Sequence, residues 1–172
     1  HLAQAIDGDQ AALAVKPAAD AYYDLGFALA GTGQADEAAK SFLAALQLQS
    51  DLPEAHYQLA RLAEQANDLS EAERHYAATL RLAPNHAAAH AHFGLLLARS
   101  GRLDAAAAQL QAAIGLKPDD ANAHANLGNV WLLQGRMRDA IGQYEEVLRL
   151  RPNDAAALEN LQLARDALKN RR

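Results

Sequence analysis

The sequence contains no cysteine, one methionine and one tryptophan, and aromatic residues make up only 5% of its 172 positions. Without cysteine the chain forms no disulfide, no thiolate metal site and no thiol nucleophile. It has no run of about 18 apolar residues, so no membrane span is predicted. The formal net charge of -5 argues against nucleic acid as the main partner, because nucleic-acid binding usually requires a basic stripe.

Sequence motifs of the common enzyme classes are also missing. No serine lies in a G-x-S-x-G turn, and there is neither a G-x-x-x-x-G-K-[ST] phosphate loop nor an H-E-x-x-H motif. The segment Gly31-Thr32-Gly33 follows no predicted strand, so we interpret it as a turn at the end of a helix. We therefore predict a chain that is not an enzyme and that holds no cofactor and no metal.

A pattern that returns every 34 residues dominates the chain, and such a period is typical of stacked-repeat proteins. Two sets of small residues follow it: Ala38, Ala72, Ala106 and Ala140, and Gly26, Ala60, Gly94 and Gly128. Apolar residues at three- and four-residue steps predict two helices in each repeat. We expect the two small sets to face each other, so that the helix backbones approach closely.

The predicted helix boundaries also repeat. The turn between the two helices carries residues that tolerate the left-handed conformation: Gly33, Asn67, Gly101 and Gly135. The second helix ends before a proline in three copies, at Pro84, Pro118 and Pro152. The residues after these prolines are predicted caps of the next helix: Asn85, Asp119, Asp120, Asn153 and Asp154.

This pattern resembles the tetratricopeptide repeat, whose signature is W-x2-L-G-x2-Y, then A-x3-F, then P. The fourth copy matches it through His124, Leu127, Gly128, Trp131, Ala140, Tyr144 and Pro152. The resemblance implies an all-α fold, a right-handed superhelical solenoid of antiparallel helix pairs. The predicted divisions are a truncated, degenerate second helix in 1–18, repeats in 19–52, 53–86, 87–120 and 121–154, and a capping helix in 155–172.

The start of the chain predicts a missing half-repeat. Residues 1–17 align without gaps on 136–152, which is the second helix of a repeat, so we expect a fragment or a processed product of a longer protein. The apolar residues Leu2, Ile6 and Leu13 of this helix could dock on another copy and form a homo-oligomer. The compartment is not identified, and a soluble chain in the cytoplasm or the periplasm fits equally.

Three histidines share one repeat position, and we interpret them as rings that pack between helices: His56, His90 and His124. A metal site formed by His86, His90 and His92 is the alternative, since histidines four residues apart on a helix can hold one ion. We disfavour it because His90 and His92 point in different directions and no ordered second shell is evident.

By resemblance to the family, the first helix of each repeat lines a concave groove. The sixth position of each repeat forms a polar column: Asp24, Gln58, His92, Asn126 and Asn160. Such side chains can pair with the N–H and C=O groups of an extended peptide. The column resembles the asparagine ladder of O-linked N-acetylglucosamine transferases. The alternative is that these are ordinary polar surface positions.

Larger side chains on the same face are candidate binding anchors: Tyr23, Phe27, Tyr57, Arg61, Leu95, Arg99 and Asn129. The alternative for Tyr23 and Phe27 is that upstream sequence covers them. A family subclass grips the carboxylate tails of chaperones with groove lysines. Here Asp20 and Glu54 occupy groove positions and no lysine does, so we predict that this clamp is absent.

Three functional hypotheses follow. The leading one is a non-catalytic protein–protein interaction scaffold that binds a peptide segment of a partner in its concave groove. The second is a substrate-presenting accessory arm of a larger enzyme, for example a glycosyltransferase. The third is a self-assembling structural repeat protein. The identity of the partner is left open by the sequence.

Overall fold

The computed structural model describes residues 18–170, and every regular element in that range is an α-helix. The half-repeat predicted in residues 1–17 lies outside the described residues, and with it the apolar face that could pair two copies. The described residues fall into two units, unit 1 (18–84) and unit 2 (85–170). Within 18–170 no helix is long and apolar enough to cross a membrane.

Unit 1 consists of two helix pairs joined by short turns. Its helices are α1 (Ala19–Gly31), α2 (Ala35–Leu48), α3 (Pro53–Gln65) and α4 (Leu69–Leu82). Helix α1 packs on α2, and α3 packs on α4, while α2 also contacts α3. The first helix of each pair has 13 residues and the second has 14, so the predicted repeat is also a repeat of element lengths.

Unit 2 has the same alternation and ends on one additional helix. Its helices are α5 (Ala87–Arg99), α6 (Leu103–Leu116), α7 (Ala121–Leu133), α8 (Met137–Leu150) and α9 (Ala155–Lys169). Each of these helices packs on the next one along the chain. Because three-residue turns join the helices of each pair, the two members of a pair run antiparallel.

The turns inside the pairs adopt the predicted left-handed conformation. The φ angles are +81° at Gly33, +59° at Asn67, +75° at Gly101 and +73° at Gly135. The residue after each of them turns its N–H back onto the first helix, as when the N–H of Arg136 donates to the carbonyl of Trp131 at 2.8 Å. This geometry reverses the chain within one turn and confirms the sequence interpretation of these four positions.

Helix caps agree with the sequence interpretation at two of three starts. Asp120 and Asp154 accept backbone N–H bonds at the starts of α7 and α9, whereas the other two candidates, Asp119 and Asn153, are not the cap residues. At α5 the prediction of Asn85 was wrong. The cap residue there is His86, whose Nδ1 accepts the N–H of Ala89 at 3.1 Å. The difference arises because the imidazole nitrogen, one residue further along, reaches the free backbone donors of the first turn.

The glycines of the first helices make room for large side chains of the second helices. A Cβ atom placed on Gly26 would lie 2.8 Å from the ring of Phe42, and one on Gly128 would lie 2.7 Å from the ring of Tyr144. These large side chains of the second helices are fully buried. A Cβ on Gly94 would lie 2.7 Å from Leu110 and 3.2 Å from the carbonyl oxygen of Ala106, so the expected approach to a recurrent alanine is found at that position. The glycines therefore make room mainly for large side chains of the second helices.

Candidate functional site

The groove-facing positions of unit 1 surround a cavity of about 260 Å³ between α1 and α3, the unit 1 cavity. Its walls are Phe27, Ala30, Gly31, Gln58, Arg61, Leu62 and Gln65. Because α1 and α3 are the first helices of two consecutive repeats, their equivalent faces lie side by side. The structure thus brings together three of the predicted groove residues, namely Phe27, Gln58 and Arg61.

An aromatic wall stands at one side of this cavity. Phe27 is 55% exposed, and Tyr23 stacks beside it with a centroid distance of 6.4 Å. The Tyr23 ring also contacts the buried Phe42 at 5.6 Å. Burial raises the pKa of the Tyr23 hydroxyl, which is also hydrogen-bonded to the side chain of Gln58. Tyr23 therefore joins the core to the groove, and Phe27 offers most of the accessible apolar surface.

Tyr57 is anchored in a similar way on α3. Its ring lies 6.2 Å from that of Tyr76, whose hydroxyl donates a 2.8 Å hydrogen bond to Oε2 of Glu64. Burial raises the pKa of Tyr57, and the nearby charge of Arg61 opposes that effect. One side of this predicted anchor is thus packed against the interior of unit 1.

This face carries charges of both signs, and the charges of Arg61 and Glu64, three residues apart on α3, both act on Tyr57. Arg61 is exposed at the cavity wall, and it forms no hydrogen bond or ion pair with any residue in 18–170. None of the residues lining the unit 1 cavity is acidic. The carboxylates of Asp24 and Glu54 lie close enough to Tyr23 to raise the pKa of its hydroxyl. A cation therefore lies at the cavity wall with the Glu64 carboxylate on the same helix, and two further carboxylates lie near Tyr23.

The same cavity recurs in unit 2 at positions 68 residues further along the sequence. This unit 2 cavity measures about 250 Å³ and is lined by Leu95, Ala98, Arg99, Leu110, Asn126, Asn129, Val130 and Leu133. Four of the predicted groove residues line it: Leu95, Arg99, Asn126 and Asn129. Leu133 is 70% exposed and provides the apolar surface that Phe27 provides in unit 1.

A fixed amide distinguishes the unit 2 cavity. Oδ1 of Asn129 accepts the hydroxyl of the buried Tyr144 at 2.8 Å and Nδ2 of Asn160 at 3.2 Å. Asn160 on α9 is therefore bonded to a neighbouring groove residue. Of the rest of the polar column, Asp24 is exposed and His92 is half-buried, and neither lines one of the two cavities. A role of the column in binding stays a prediction.

The three equivalent histidines pack between the helices of their pairs, as predicted. Nδ1 of His90 lies 2.7 Å from Oε1 of Gln109, and Nδ1 of His124 lies 2.7 Å from Oε1 of Gln143. His86 is engaged as a helix cap. Among the described residues no group of three or more potential ligands is placed to hold a metal ion.

In unit 1 the corresponding contact joins two histidines. Nδ1 of His56 lies 2.9 Å from Nδ1 of His75, which is 2% exposed. The guanidinium of Arg74 lies 2.9 Å from Nε2 of His75, and a carboxylate oxygen of Glu71 lies 3.2 Å from the same atom. Burial, followed by the Arg74 charge, lowers the pKa of His75 to about 4. A titratable pair thus replaces the histidine–glutamine pair of repeats 87–120 and 121–154.

Sequence reasoning did not single out three of the residues that line the cavities, namely Leu62, Gln65 and Leu133. Gln65 and Leu133 occupy the same repeat position as Arg99, which was predicted to face the groove, so the repeat register could have identified them. Leu62 occupies the tenth position, between the groove-facing ninth and the interior. Its contribution becomes evident only when the two first helices are placed side by side.

Comparison with known proteins agrees with this architecture. Two family models, both described as Tetratricopeptide repeat, match the chain, one over residues 57–121 and 92–155 and the other over 19–52. The chain belongs to the tetratricopeptide repeat family. No curated protein sequence matches it. The predicted family and the predicted all-α fold of antiparallel helix pairs are both confirmed.

Several solved structures share the fold. YrrB, described as a TPR protein with an unusual peptide-binding site, is 25% identical, and the match covers 92% of this chain and 82% of YrrB with a TM-score of 0.79. MamA from Desulfovibrio magneticus RS-1 is 20% identical, with 88% and 92% coverage and a TM-score of 0.76. PilF of Pseudomonas aeruginosa is 24% identical, with 89% and 68% coverage and a TM-score of 0.75.

Proposed function

We propose that this chain is a non-catalytic interaction module whose first helices hold a peptide segment of a partner protein. The observation that carries the proposal is the recurrence of one cavity at the same repeat positions in both units. Each cavity combines an exposed large apolar side chain with amide groups and an arginine. Peptide-binding grooves use this combination, because apolar anchors supply affinity and amides pair with the backbone of the ligand.

A second argument supports a peptide as the ligand. YrrB, which is 25% identical to this chain, is described as having a peptide-binding site. Stacked helical repeats offer extended surfaces that suit an extended ligand rather than a compact metabolite. The buried titratable groups of the described residues, such as His75 and Tyr76, are bonded between paired helices and contribute to packing.

The proposal is tested with a groove variant and a matched variant of the second helices. The groove variant is Tyr57→Ala with Asn126→Ala, one substitution in each unit. The control is Leu43→Ala with Leu116→Ala, since these leucines are each 44% exposed on α2 and α6. Partners captured by the unmodified chain are mapped to peptides on an overlapping array, and the affinity for those peptides is measured by fluorescence anisotropy.

The groove variant is expected to bind at least about 10-fold more weakly, which is the usual effect of losing an anchor. The control is expected to bind as before, and both should keep their helical circular dichroism. Because Tyr57 packs on Tyr76, a Phe27→Ala variant is included, which removes a mostly exposed ring. Undiminished binding by both groove variants would show that the assignment of the groove is wrong.

A further inference from the structure

We propose that the groove face of unit 1 selects a partner segment in which an acidic side chain lies beside a large apolar one. The apolar side chain packs on Phe27, and the carboxylate pairs with Arg61 in the unit 1 cavity. This inference rests on the proposed function and deepens it, because it names the chemistry of the segment. Three observations support it: the residues that line the cavity, the lack of an ion pair at Arg61, and the positions of the carboxylates on this face.

The lining of the cavity favours an anion that is attached to an apolar group. Phe27, Ala30 and Leu62 supply apolar walls, and the polar groups are Gln58, Arg61 and Gln65. The chain has 21 acidic residues against 16 basic ones, yet no acidic residue lines this cavity. Gln65 can donate N–H bonds, Gln58 has a second amide N–H besides the group that bonds Tyr23, and the guanidinium carries a charge, so the polar wall is equipped to bind a carboxylate.

Arg61 forms no ion pair within the described residues, although Glu64 lies three positions further along α3 and both charges act on Tyr57 and Tyr76. It forms no hydrogen bond in 18–170 either, as is also true of Arg81 and Arg138, whereas Arg74, Arg136, Arg149 and Arg165 each pair with a carboxylate. A bound segment would exclude water from the cavity, and charge interactions strengthen when water is excluded. The planar guanidinium also matches the two oxygens of a carboxylate. Arg61 is therefore available to an acidic ligand without loss of an existing ion pair.

The position of Arg61 indicates a side chain rather than a chain terminus. Groove-facing residues lie on both sides of it along α3, with Gln58 before it and Gln65 after it. A segment that spans this face continues past Arg61 in both directions, so its carboxylate belongs to an internal aspartate or glutamate. This choice also agrees with the absence of the groove lysines that a tail-binding clamp would use.

The opposite end of the face is acidic and limits what the rest of the segment carries. Asp20, Asp24 and Glu54 are exposed there, near the starts of α1 and α3. Glu54 precedes Arg61 by seven residues, which is about 10 Å along a helix. An extended segment covers that distance with about three residues. We therefore expect a basic or neutral side chain about three residues from the acidic one, and not a uniformly acidic segment.

A peptide library displayed on phage tests the inference, with random 12-residue segments selected on the full chain. Four forms are compared, the unmodified chain, Arg61→Glu, Lys40→Glu and Phe27→Ala. Lys40 is an exposed cation of α2 in the same unit, so its substitution makes the same change of charge away from the cavity. Segments enriched by the unmodified chain are then synthesised with amidated ends, and each acidic residue is replaced by its amide.

The expected result is enrichment of aspartate or glutamate at a fixed offset from a large apolar residue. Replacing that acid by its amide should weaken binding at least about 10-fold, which is typical of a charge-assisted hydrogen bond. On Arg61→Glu the enriched charge should change to lysine or arginine, and on Lys40→Glu it should stay acidic.

Four other outcomes would overturn the inference. Enriched segments without an acidic preference, or an acidic preference that survives Arg61→Glu, would refute it and leave the proposed function intact. Equal affinity for a peptide that carries only a free terminal carboxylate would also refute it. A failure to enrich any segment over the Phe27→Ala variant would instead remove the proposed function, and this inference would fall with it.

Discussion

Acidification is expected to destabilise unit 1 through the buried contact between His56 and His75. The His75 ring is 2% exposed and faces His56, Arg74 and Glu71. If the guanidinium of Arg74 donates to Nε2, then the Nδ1–H of His75 donates to Nδ1 of His56. In that arrangement both rings are neutral. A proton added to His75 would face the Arg74 charge in a site with little water, and only the Glu71 carboxylate opposes that cost.

The size of the effect follows from how far folding lowers the pKa of His75. This pKa falls from 6.5 to about 4 on folding, so the unfolded chain binds a proton that the folded chain resists. The contribution of neutral His75 to the stability of the folded state is complete above pH 6.5. It decreases as the pH falls below 6.5 and is lost by the time the pH reaches about 4. Since a tenfold change in proton affinity corresponds to about 1.36 kcal/mol, the loss between pH 7 and pH 5 is about 2 kcal/mol.

The chain itself supplies the matched control. In the other two repeats that carry the histidine, its partner is Gln109 or Gln143, so His75→Gln copies a pairing that the fold already uses. Amide hydrogen exchange, corrected for the intrinsic effect of pH, measures the opening free energy of α3 and α4. We expect it to fall by about 2 kcal/mol from pH 7 to pH 5 in the unmodified chain, and by much less in His75→Gln. Peptides from α7 and α8 serve as the internal reference.

One result would refute this reasoning. If His75→Gln retained the full loss of protection between pH 7 and pH 5 in α3 and α4, the titrating group would not be His75. The histidine pair would then be a packing contact without a linked proton. If His75→Gln lost protection equally at both pH values, the glutamine would have failed to replace the histidine ring. The comparison would then be repeated with His56→Gln, which removes the partner of His75 instead.

Two further predictions concern stability and are measured by urea unfolding, followed by the fluorescence of the single tryptophan in unit 2. Gly115→Ala should raise the free energy of unfolding by about 0.5–1 kcal/mol, because a Cβ there meets nothing within 4 Å. Gly128→Ala should lower the same free energy by about 1–3 kcal/mol, because its Cβ would lie 2.7 Å from the ring of Tyr144. Equal effects of the two substitutions would contradict this prediction. Asp120→Ala should lower the free energy of unfolding by about 1 kcal/mol because Asp120 caps α7, while Asp119→Ala should change it little. A larger decrease for Asp119→Ala would show that the cap is misassigned.

Much of the fold could be predicted because its rules act locally. A left-handed residue in each turn requires glycine or asparagine, so Gly33 and Asn67 are visible in the sequence without tertiary information. The cap at His86 was missed because any of several polar residues in a loop can reach the free N–H groups, and the choice depends on where the helix begins. The partner of Gly26 was misjudged because spacing indicates that space is scarce without showing which side chain fills it.

The candidate site was predictable by position and less so by contact. The repeat register correctly brought Gln58 and Arg61 to one face, since equivalent positions of stacked repeats share a surface. It did not indicate that Asn129 is bonded to Tyr144 and Asn160, because that network depends on the side-chain conformations of three helices. The His56–His75 contact had a sequence signal, since His75 occupies the same repeat position as Gln109 and Gln143, but the signal was overlooked.

The hydrogen bonds of Asn129 bear on the entropy of ligand capture. Its Oδ1 accepts two bonds, one of them from a fully buried tyrosine, so its amide is immobilised before any ligand arrives. Under the proposed function, a peptide does not have to restrict this rotamer, which for a mobile side chain costs about 0.5–1.5 kcal/mol. Arg61 lacks such restraints and would lose that freedom on binding. The proposed function therefore predicts a smaller ordering cost for the Asn129 contact in unit 2 than for the Arg61 contact in unit 1.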